Sequence, residues 1–331
     1  MKRFKVVLVD ATESPVPAWV AETLAKEDID FAAQACTTSA ELARHAGDAD
    51  VVWNWGSHVI TADSLALLPQ CVGIIRTGSG TDNIPVEAAT QRGIVVANTP
   101  QAHNDAVSNH AIGLLFTVMQ QTAALDRAVR AGQWHTARTV AGWHLHGQTL
   151  GLVGFGLAAR LVAKKMSGFE LTLLAHDPYV SAEAMALESV RAASLDEVLS
   201  TSDFVFLHCP LTPQTHHLLG ERELRLMKRT AFLINTARGP VVDEPALVMA
   251  LTEGWIAAAG LDVLEQEPPS PDNPLFKLKN TVITPHVAGR SDEDQLLCWR
   301  LSVEAAIALA HGHWPRSYVN RDVKPRLNLG G

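Results

Sequence analysis

GLVGFGLAAR, residues 151–160, places two glycines and a small residue where an apolar strand gives way to a helix. Gly154, Gly156 and Ala159 form the pattern G-x-G-x-x-A. The first glycine permits a tight turn, the second lets the main chain approach a pyrophosphate, and the small third residue lets strand and helix pack closely. The amides that begin such a helix bind phosphate. On its own, the pattern also fits a plain glycine turn between any strand and any helix.

A carboxylate at the end of the next predicted strand favours the dinucleotide interpretation. LTLLAHD ends at Asp177, 21 residues after Gly156, close to the distance expected for a carboxylate that binds the adenosine ribose hydroxyls. The same carboxylate repels the additional phosphate of NADP, and the following Pro178 and Tyr179 offer no arginine to receive it. The sequence therefore predicts an NAD site.

Short apolar runs alternate with amphipathic stretches along the chain. The predicted strands are FKVVLVD, VVWNW, VGIIRTG, GIVVANTP, TLGLVGFG, LTLLAHD, DFVFLHC, TAFLINTA, IAAAGLDV and NTVITPH. Apolar strands separated by helices indicate parallel sheets covered on both faces, which bind ligands beyond the carboxyl ends of their strands. The predicted fold class is α/β, with two Rossmann-like doubly wound parallel-sheet domains and a cleft between them.

Two such series predict two domains, one of them discontinuous. A long helical stretch, roughly residues 104–131, is predicted to cross between the domains, and a second, roughly 291–312, to return the chain to the first. We expect a flavodoxin-like substrate-binding domain of residues 1–101 plus 290–331 and an NAD-binding Rossmann domain of residues 102–289.

Composition argues against several classes of partner. The 331 residues carry a formal net charge of −8 and no basic block, which disfavours nucleic acid and anionic membranes as partners. No apolar run reaches membrane-spanning length, and the first closes at Asp10, too soon for a signal peptide. The four cysteines lack paired spacing and indicate reduced thiols in the cytoplasm. No metal is expected, because the pairs His144–His146 and His216–His217 lack cysteine or carboxylate partners at ligand spacing.

A later apolar run, AFLINTARGP, ends in a charged side chain. Its Arg238 either lies in water on a loop or awaits an anion. Two further predicted strands also end in polar residues, GLDVLEQEPP with Asp262 and Glu267 and VITPH with His286. Each of these residues alone is more often part of an ordinary loop. Their convergence on one edge of a parallel sheet indicates a shared site.

The residue types suit hydride transfer between a hydroxyl and a nicotinamide. Oxidation of a hydroxyl requires a base for its proton, and histidine serves near neutral pH when a carboxylate raises its pKa and fixes its tautomer. An arginine binds a carboxylate through two parallel hydrogen bonds and polarises a carbonyl. We therefore interpret Arg238 as awaiting a substrate carboxylate and the oxygen beside it.

Six ordered motifs carry a family resemblance. They are GSGTDNIPVEAATQRGIVVANTP, GQTLGLVGFG, LHCPLTPQTHHLLG, INTARGPVVDEPAL, GLDVLEQEP and ITPHVAG, from about residue 76 to about residue 290. The chain resembles the D-isomer-specific 2-hydroxyacid dehydrogenase family. Within it, GSGTDNI, HCPLTPQTHHLL and AHDPYV are most similar to the branch that includes the C-terminal-binding-protein corepressors. The resemblance implies NAD as the cofactor and a homodimer formed through the cofactor domain.

The resemblance also implies a role for each matching position. His286 corresponds to the acid/base histidine, Glu267 to its carboxylate partner and Arg238 to the substrate-orienting arginine. Glu265 is then a bystander, and Asp262 corresponds to the residue that contacts the nicotinamide amide. The implied cofactor-binding set is Gly154, Phe155, Gly156, Leu157, Ala158, Asp177, Pro178, Cys209, Pro210, Thr215, Thr236, Ala237, Arg238, Asp262, His286, Ala288 and Gly289. The implied substrate-binding set is Asn54, Trp55, Gly78, Ser79, Gly80, Arg238 and His286, with the loop around Ser79 as an anion nest.

Three positions depart from the family pattern or leave an alternative open. Ala159 replaces the third glycine, and Ser108–Asn109 stands where the family often has Ala-Glu, in the predicted crossing helix. Trp53 and Trp55 either pack the first domain or face the cleft. If Trp55 faces the cleft, it implies an apolar or aromatic substrate side chain, or a small pocket closed by the ring.

Two classes of function fit the intact catalytic set. One is an NAD-dependent enzyme that interconverts a 2-oxo acid and a D-2-hydroxy acid, and the other is an NAD-sensing binding protein of the corepressor type. The chain shows no long tail or basic region, which favours the enzyme. Phosphite or formate oxidation is a distant alternative, because the family fold hosts both.

Overall fold

The computed structural model describes residues 3–11, 15–137 and 142–330. The chain divides into two compact units, Met1–His103 with Ser291–Gly331, and Asn104–Arg290. Each unit is built on one parallel sheet with helices packed against it, which confirms the predicted α/β class. Within the described residues, no helix combines the length and the apolar character that crossing a bilayer requires.

Five parallel strands form the sheet of the first unit, in the order β2-β1-β3-β4-β5. The elements up to the end of this sheet are β1 Phe4–Leu8, α1 Ala18–Lys26, β2 Ile29–Ala33, α2 Ser39–Ala46, β3 Val51–Asn54, β4 Gly73–Arg76, α3 Val86–Gln91 and β5 Val95–Asn98. Strands β3 and β5 are buried along their whole length, as the apolar runs predict. Strand β2 escaped the prediction, because it lies at the sheet edge and buries only Ile29.

Seven parallel strands form the sheet of the second unit, in the order β12-β11-β10-β9-β6-β7-β8. Its strands are β6 Thr149–Val153, β7 Thr172–His176, β8 Arg191–Ala192, β9 Phe204–Leu207, β10 Phe232–Asn235, β11 Ala258–Leu261 and β12 Thr281–Ile283. Its helices are α4 Asn104–Met119, α5 Thr122–Arg130, α6 Trp134–Ala137, α7 Leu157–Met166, α8 Ala182–Ala186, α9 Leu195–Thr201, α10 Glu221–Leu226 and α11 Glu244–Glu253. The order turns back beside β6, which is where a doubly wound sheet binds its ligand.

The expected single helix over residues 104–131 is wrong. Helix α4 ends at Met119 and α5 begins at Thr122, with Gln121 in the left-handed region at a φ of 53°. A residue in that conformation cannot continue a right-handed helix. The break falls in a Gln-Gln pair without glycine or proline, so the sequence offered no signal for it.

The chain returns to the first unit through α12, Asp292–Ala310. Trp299, Val303 and Leu309 of this helix are buried in the same apolar cluster as Trp53 and strand residues of the first sheet. The packing is close, because a Cβ built on Gly73 of β4 would lie 2.6 Å from Cδ1 of Leu309. The second long helix expected near residues 291–312 is therefore present and covers one face of the five-stranded sheet.

Candidate active site

The glycine-rich turn between β6 and α7 is open enough to receive a phosphate. Gly154 has a φ of 88°, and a Cβ built there would lie 2.7 Å from the main-chain nitrogen of Cys209, so only glycine fits. A Cβ on Gly156 would meet no atom within 4 Å. Helix α7 begins at the next residue, Leu157, and its first amides lie next to this open space. These features fit the pyrophosphate of a dinucleotide.

Asp177, at the end of β7, supports this turn. Its Oδ2 accepts a hydrogen bond of 2.8 Å from the amide of Phe155, and its Oδ1 accepts one of 2.8 Å from the amide of Tyr179. The Phe155 side chain is fully buried, so this residue offers only its main chain to a ligand. The neighbouring Pro178 and Tyr179 are exposed. The carboxylate is thus held beside the glycine turn, where an adenosine ribose is expected.

The segment after β9 passes next to the glycine turn. The Oγ1 of Thr215 donates to the carbonyl of Pro210 at 2.6 Å and accepts from the amide of Thr212 at 2.8 Å, which closes this loop on itself. Burial raises the pKa of Cys209 to about 11, so its thiol stays protonated near neutral pH. Cys209 therefore contributes a neutral side chain and its main-chain atoms to this part of the site, and no charge.

A row of side chains crosses the carboxyl edge of the second sheet. The register pairs Leu152, Phe206, Ile234, Gly260 and Val282 on successive strands. Side chains two residues apart on a strand share a face. The same row two residues later therefore consists of Gly154, His208, Thr236, Asp262 and Thr284, which we call the edge row.

Asp262 organises one end of the edge row. Its side chain has no exposed surface, and it accepts hydrogen bonds from the hydroxyl of Thr284 (2.5 Å) and from the amides of Val287 (3.0 Å) and Ala288 (2.8 Å). The Nε2 of His110, from α4, lies 2.9 Å from the Thr284 hydroxyl and 3.4 Å from the Asp262 Oδ1. The resemblance assigns Asp262 to the nicotinamide amide; what its carboxylate holds in the structure is the loop after Thr284.

That loop carries His286, whose imidazole pairs with a carboxylate. Its Nδ1 lies 2.6 Å from Oε2 of Glu267, and the other oxygen of Glu267 accepts from the amide of Leu264 at 3.0 Å. His286 has a left-handed φ of 52°, and its amide donates to the carbonyl of Asp262 at 2.8 Å. The carbonyl of Asp262, just after β11, and the carboxylate of Glu267 therefore both position His286, and its Nε2 is the nitrogen left for a substrate.

Two opposing effects set the pKa of Glu267. Partial burial raises it, while the hydrogen bond and the charge of His286, the Leu264 amide and the charge of Arg238 lower it. The lowering effects prevail, so the pKa lies below its ordinary value of 4.5 and the carboxylate is ionised near neutral pH. An ionised Glu267 stabilises a positive charge on His286, which is what an acid/base histidine requires.

Arg238 lies in a turn braced against the loop that carries Glu267. The Nδ2 of Asn235 donates to the carbonyl of Arg238 at 3.0 Å, and the Oδ1 of Asn235 accepts from the amide of Ala237 at 3.0 Å. A Cβ built on Gly239 would lie 1.9 Å from the carbonyl oxygen of Leu264, so the two segments pack main chain to main chain. The second unit thus brings together the predicted trio of Arg238, Glu267 and His286.

In the first unit, the predicted substrate loop is held firmly. The amide of Gly78 donates to the hydroxyl of Thr99 at 2.7 Å, and the Nδ2 of Asn98 donates to the carbonyl of Ser79 at 3.0 Å. Within the described residues, the amides of Ser79 and Gly80 donate no hydrogen bond. Two adjacent amides without an acceptor among the described residues are what the predicted anion nest requires.

The aromatic residues before that loop pack inside the first unit. Trp53 is fully buried and donates from Nε1 to the hydroxyl of Thr77 at 2.7 Å. The ring of Trp55 lies 4.4 Å from that of Trp299, centroid to centroid. Asn54 is also fully buried and donates to the hydroxyl of Ser57 at 2.9 Å. Trp53 thus belongs to the core, and Asn54 holds its own loop.

Ser108 and Asn109, the departure from the family pattern, act within the second unit. The Nζ of Lys165, on α7, lies 2.7 Å from the hydroxyl of Ser108 and 2.7 Å from the Oδ1 of Asn109. The same amine pairs with Asp105 at 2.6 Å. The polar pair therefore joins α4 to α7, which is a role inside one unit.

One premise of the metal prediction is wrong. His217 does have a carboxylate partner, because its Nε2 lies 2.8 Å from the Oε1 of Glu265, and donor atoms of His216, His217 and Glu265 all lie within 4.8 Å of one another. The partner comes from a segment 48 residues away in sequence, so local spacing could not reveal it. The second oxygen of Glu265 accepts from the amide of Glu244 at 3.1 Å. Glu265 therefore ties two loops together next to the trio.

Sequence reasoning missed His110 and His208. His110 comes from a helix far from the strand-end motifs, and only the register and the packing of α4 bring it to Asp262. His208 immediately precedes Cys209 and follows an apolar strand. The rule that we applied to the other strands would have found His208, because residues directly after a parallel strand lie at the ligand-binding edge of the sheet.

Comparison with known proteins identifies the family of the chain. Residues 112–288 match the family model described as D-isomer specific 2-hydroxyacid dehydrogenase, NAD binding domain. The chain is 40% identical to a glyoxylate reductase of Korarchaeum cryptofilum (strain OPF8) over 279 residues, 83% of this chain and 84% of that one. The chain belongs to the D-isomer specific 2-hydroxyacid dehydrogenase family.

Two solved structures extend the likeness over nearly the whole chain. A glyoxylate reductase from Paecilomyes thermophila aligns with a TM-score of 0.88 at 29% identity, covering 96% of this chain and 99% of that one. A D-lactate dehydrogenase from Aquifex aeolicus, complexed with NAD and lactic acid, aligns with a TM-score of 0.82 at 26% identity, covering 93% and 96%. The predicted enzyme class, a nicotinamide-dependent D-2-hydroxyacid dehydrogenase, is confirmed by this membership.

Proposed function

We propose that this dehydrogenase reduces a small 2-oxo acid to the D-2-hydroxy acid with NADH, and catalyses the reverse reaction with NAD. The observation that carries the proposal is the 2.6 Å contact between His286 and Glu267 beside the turn of Arg238. A histidine held by an ionised carboxylate next to an arginine supplies the proton and the anion-binding group that the reaction needs. The glycine turn and Asp177 would hold the cofactor, which supplies or accepts the hydride at C2 of the acid.

The residues divide the work as follows. In the reducing direction, His286 carries a proton on Nε2 and donates it to the C2 oxygen as that oxygen gains negative charge. Glu267 stabilises the charged imidazole through Nδ1 and keeps the ring oriented. Arg238 binds the substrate carboxylate and polarises the carbonyl. For the amides of Ser79 and Gly80, the family resemblance implies an anion nest for a substrate carboxylate. In the oxidising direction, His286 removes the hydroxyl proton.

We propose NAD over NADP. Asp177 places a negative charge beside the glycine turn, held by the amides of Phe155 and Tyr179 at 2.8 Å each. A 2′-phosphate there would meet a carboxylate instead of a cation, which is unfavourable. The nearby Pro178 and Tyr179 provide no positive charge.

The proposed substrate class is the small 2-oxo acids, with glyoxylate and hydroxypyruvate first. The support is the name glyoxylate reductase, carried by relatives such as those of Korarchaeum cryptofilum (strain OPF8) and Paecilomyes thermophila. Trp55 packs on Trp299 inside the first unit, with 4.4 Å between the ring centroids.

The testing experiment measures NADH oxidation by the purified protein across a panel of 2-oxo acids. The panel runs from glyoxylate and hydroxypyruvate to branched and aryl pyruvates, with NADPH and His286→Ala as controls. We expect turnover with the small acids and NADH, and loss of turnover in the variant. NADH binding without turnover above the variant's background would refute the proposal and favour an NAD-sensing binding protein or a substrate without a keto group, such as phosphite or formate.

We also propose that the protein is a cytoplasmic homodimer. The four cysteines are all free and buried, as expected for a reducing compartment. The dimer rests on the family resemblance alone. Light scattering coupled to size-exclusion chromatography should give twice the 35.7 kDa of one chain; a mass of one chain at micromolar concentration contradicts it.

A further inference from the structure

Two polar atoms in the edge row are buried without a partner. The Nε2 of His208 and the Oγ1 of Thr236 find no hydrogen-bond partner among the residues that the structure describes. Thr236 is only 8% exposed, and the imidazole of His208 stacks on Phe206 with a centroid distance of 6.1 Å. Buried polar atoms are nearly always paired, because an unpaired one destabilises the fold. Two of them together therefore indicate a site for a polar ligand group.

The two atoms are neighbours on adjacent strands. Phe206 of β9 pairs with Ile234 of β10, so His208 and Thr236, two residues later, face each other across the same strand pair. Both point to the face that carries Phe206 and Ile234 in one buried cluster. Adjacent strands are about 4.8 Å apart, so one group placed between the two side chains reaches both.

The rest of the edge row is filled differently. At one end, Asp262 and Thr284 bond to each other at 2.5 Å, with His110 beside them. At the other end lies Gly154, which has no side chain and belongs to the phosphate-binding turn. The unpaired atoms thus occupy the middle of the row, between the pyrophosphate turn and the loop of His286. In a dinucleotide, the sugar that follows the pyrophosphate toward the nicotinamide is its second ribose.

The imidazole of His208 and the hydroxyl of Thr236 are suited to bind a hydroxyl group of a ligand. Burial lowers the pKa of His208 to about 4, so its imidazole is neutral near neutral pH and carries no charge for an anion. A neutral imidazole nitrogen and a threonine hydroxyl can each donate or accept, depending on tautomer and rotamer. A group that both donates and accepts satisfies the two together, and a ribose hydroxyl or a water molecule is such a group.

We propose that His208 Nε2 and Thr236 Oγ1 form a two-point subsite for one hydroxyl of the ribose that bears the nicotinamide. The inference rests on the proposed NAD-dependent function. It assigns a cofactor-binding role to His208, and it gives the Thr236 side chain a defined ligand atom. The same pair would hold an ordered water if the ribose did not reach it, and the experiment distinguishes the two.

The test compares dissociation constants of wild type, Thr236→Val and His208→Leu for three ligands. NADH and ADP-ribose contain the second ribose, and ADP does not. Each substitution should weaken NADH and ADP-ribose roughly three- to tenfold, the loss of one neutral hydrogen bond, and leave ADP within about twofold. Nicotinamide fluorescence reports NADH, and calorimetry reports the other two.

Matched controls separate this effect from general damage. Ser202 carries a third buried hydroxyl without a partner among the described residues, but it lies beside Gly151 at the opposite end of the strands. Ser202→Ala should leave all three dissociation constants unchanged, and Thr236→Ser should restore NADH affinity. If His208→Leu does not fold, the comparison of the isosteric Thr236→Val with the hydroxyl-retaining Thr236→Ser decides.

The outcomes are distinct. Unchanged NADH and ADP-ribose affinity in Thr236→Val, with wild type still binding NADH, assigns the pair to water and overturns the subsite while the proposed function stands. An equal loss for ADP also overturns it, because the effect then lies elsewhere in the pocket. A wild type that binds no NADH overturns the proposed function and the subsite together.

Discussion

The two parallel sheets finish differently at their carboxyl edges. In the first unit, the edge side chains are bound to their own neighbours: Asp10 accepts from the amides of Trp55 (2.8 Å), Gly56 (2.5 Å) and Ser57 (2.9 Å). Thr77 is paired in the same way, with the indole of Trp53. These polar side chains therefore hold the loops of their own unit.

In the second unit, the corresponding edge offers side chains. His286 and Arg238 come from the loops that follow β12 and β10, and the edge row adds the hydroxyl of Thr236, after β10, and the imidazole of His208, after β9. The two edges thus differ in what their side chains contact. At the first edge the polar side chains bind the unit's own main chain and rings, and at the second the trio of Arg238, Glu267 and His286 accompanies two buried polar atoms with no partner among the described residues.

The largest predicted effect separates two histidine–carboxylate pairs within the second unit. His286 lies 2.6 Å from Glu267, and His217 lies 2.8 Å from Glu265. His286→Asn should lower kcat by about 10²–10⁴, the usual contribution of a general acid/base, while His217→Asn stays within about twofold. Steady-state rates with NADH and the preferred 2-oxo acid measure both. Equal losses would mean that the pairs act through the stability of the loop instead of through proton transfer.

Arg238 should show the next largest effect. Arg238→Lys keeps the charge and loses the planar fork, so kcat/KM for the 2-oxo acid should fall roughly ten- to a hundredfold. The dissociation constant for NADH should change little. Arg222, whose side chain is 61% exposed, provides the matched control, and Arg222→Lys should be silent. An unchanged kcat/KM in Arg238→Lys would remove the arginine from substrate binding.

For the first unit, the contrast predicts a loss of stability. Asp10 is 5% exposed and accepts from three amides, so Asp10→Asn turns an NH2 group toward amide donors and should lower the free energy of unfolding by about 1–3 kcal/mol. Asp48→Asn, at a side chain 61% exposed, should change it by less than about 0.5 kcal/mol.

Urea denaturation followed by tryptophan fluorescence measures both variants, because Trp53 and Trp55 lie close to Asp10. Equal stability of Asp10→Asn and wild type would show that this edge is held by other contacts. The edge would then be less different from that of the second unit than the hydrogen bonds indicate.

The smallest predicted effect is a pH dependence at Glu267. Its pKa lies below the ordinary 4.5 in the folded state, so the stability it contributes is present above pH 4.5 and is lost as pH falls through the folded pKa. The difference in stability between wild type and Glu267→Gln should be constant near neutral pH and shrink below pH 4.5. It should stay under about 1 kcal/mol, because the side chain is 36% exposed and screened by solvent. A difference that grows on acidification would reverse the assigned direction.

The sequence revealed the second unit's edge better than the first's. Each reactive side chain there follows an apolar strand, so one rule about parallel sheets predicted that Arg238, Glu267 and His286 would come together. In the first sheet, the buried strands were predicted from their apolar runs. Strand β2 was not predicted, because its position at the sheet edge makes its pattern only partly apolar.

What the sequence could not supply was pairing between distant segments. The partnership of His217 with Glu265 and the approach of His110 to Asp262 span 48 and 152 positions, and neither has a local pattern. The break at Gln121 depends on a main-chain conformation for which glutamine carries no preference. The side chain of Asn54 donates its hydrogen bond to Ser57 of its own loop, and only the coordinates show that this donor is already used.

The chain order of α12 has a consequence for biosynthesis. The five strands of the first sheet are complete by residue 98, but the helix that buries Trp299, Val303 and Leu309 against them follows only after the roughly 190 residues from 104 to 290. At about 5–20 residues per second, a ribosome needs roughly 10–40 s to reach it. Helix α1 covers only part of that face, through Val20 and Leu24, so the rest of it stays exposed for that time and the emerging first unit is where chaperones should bind.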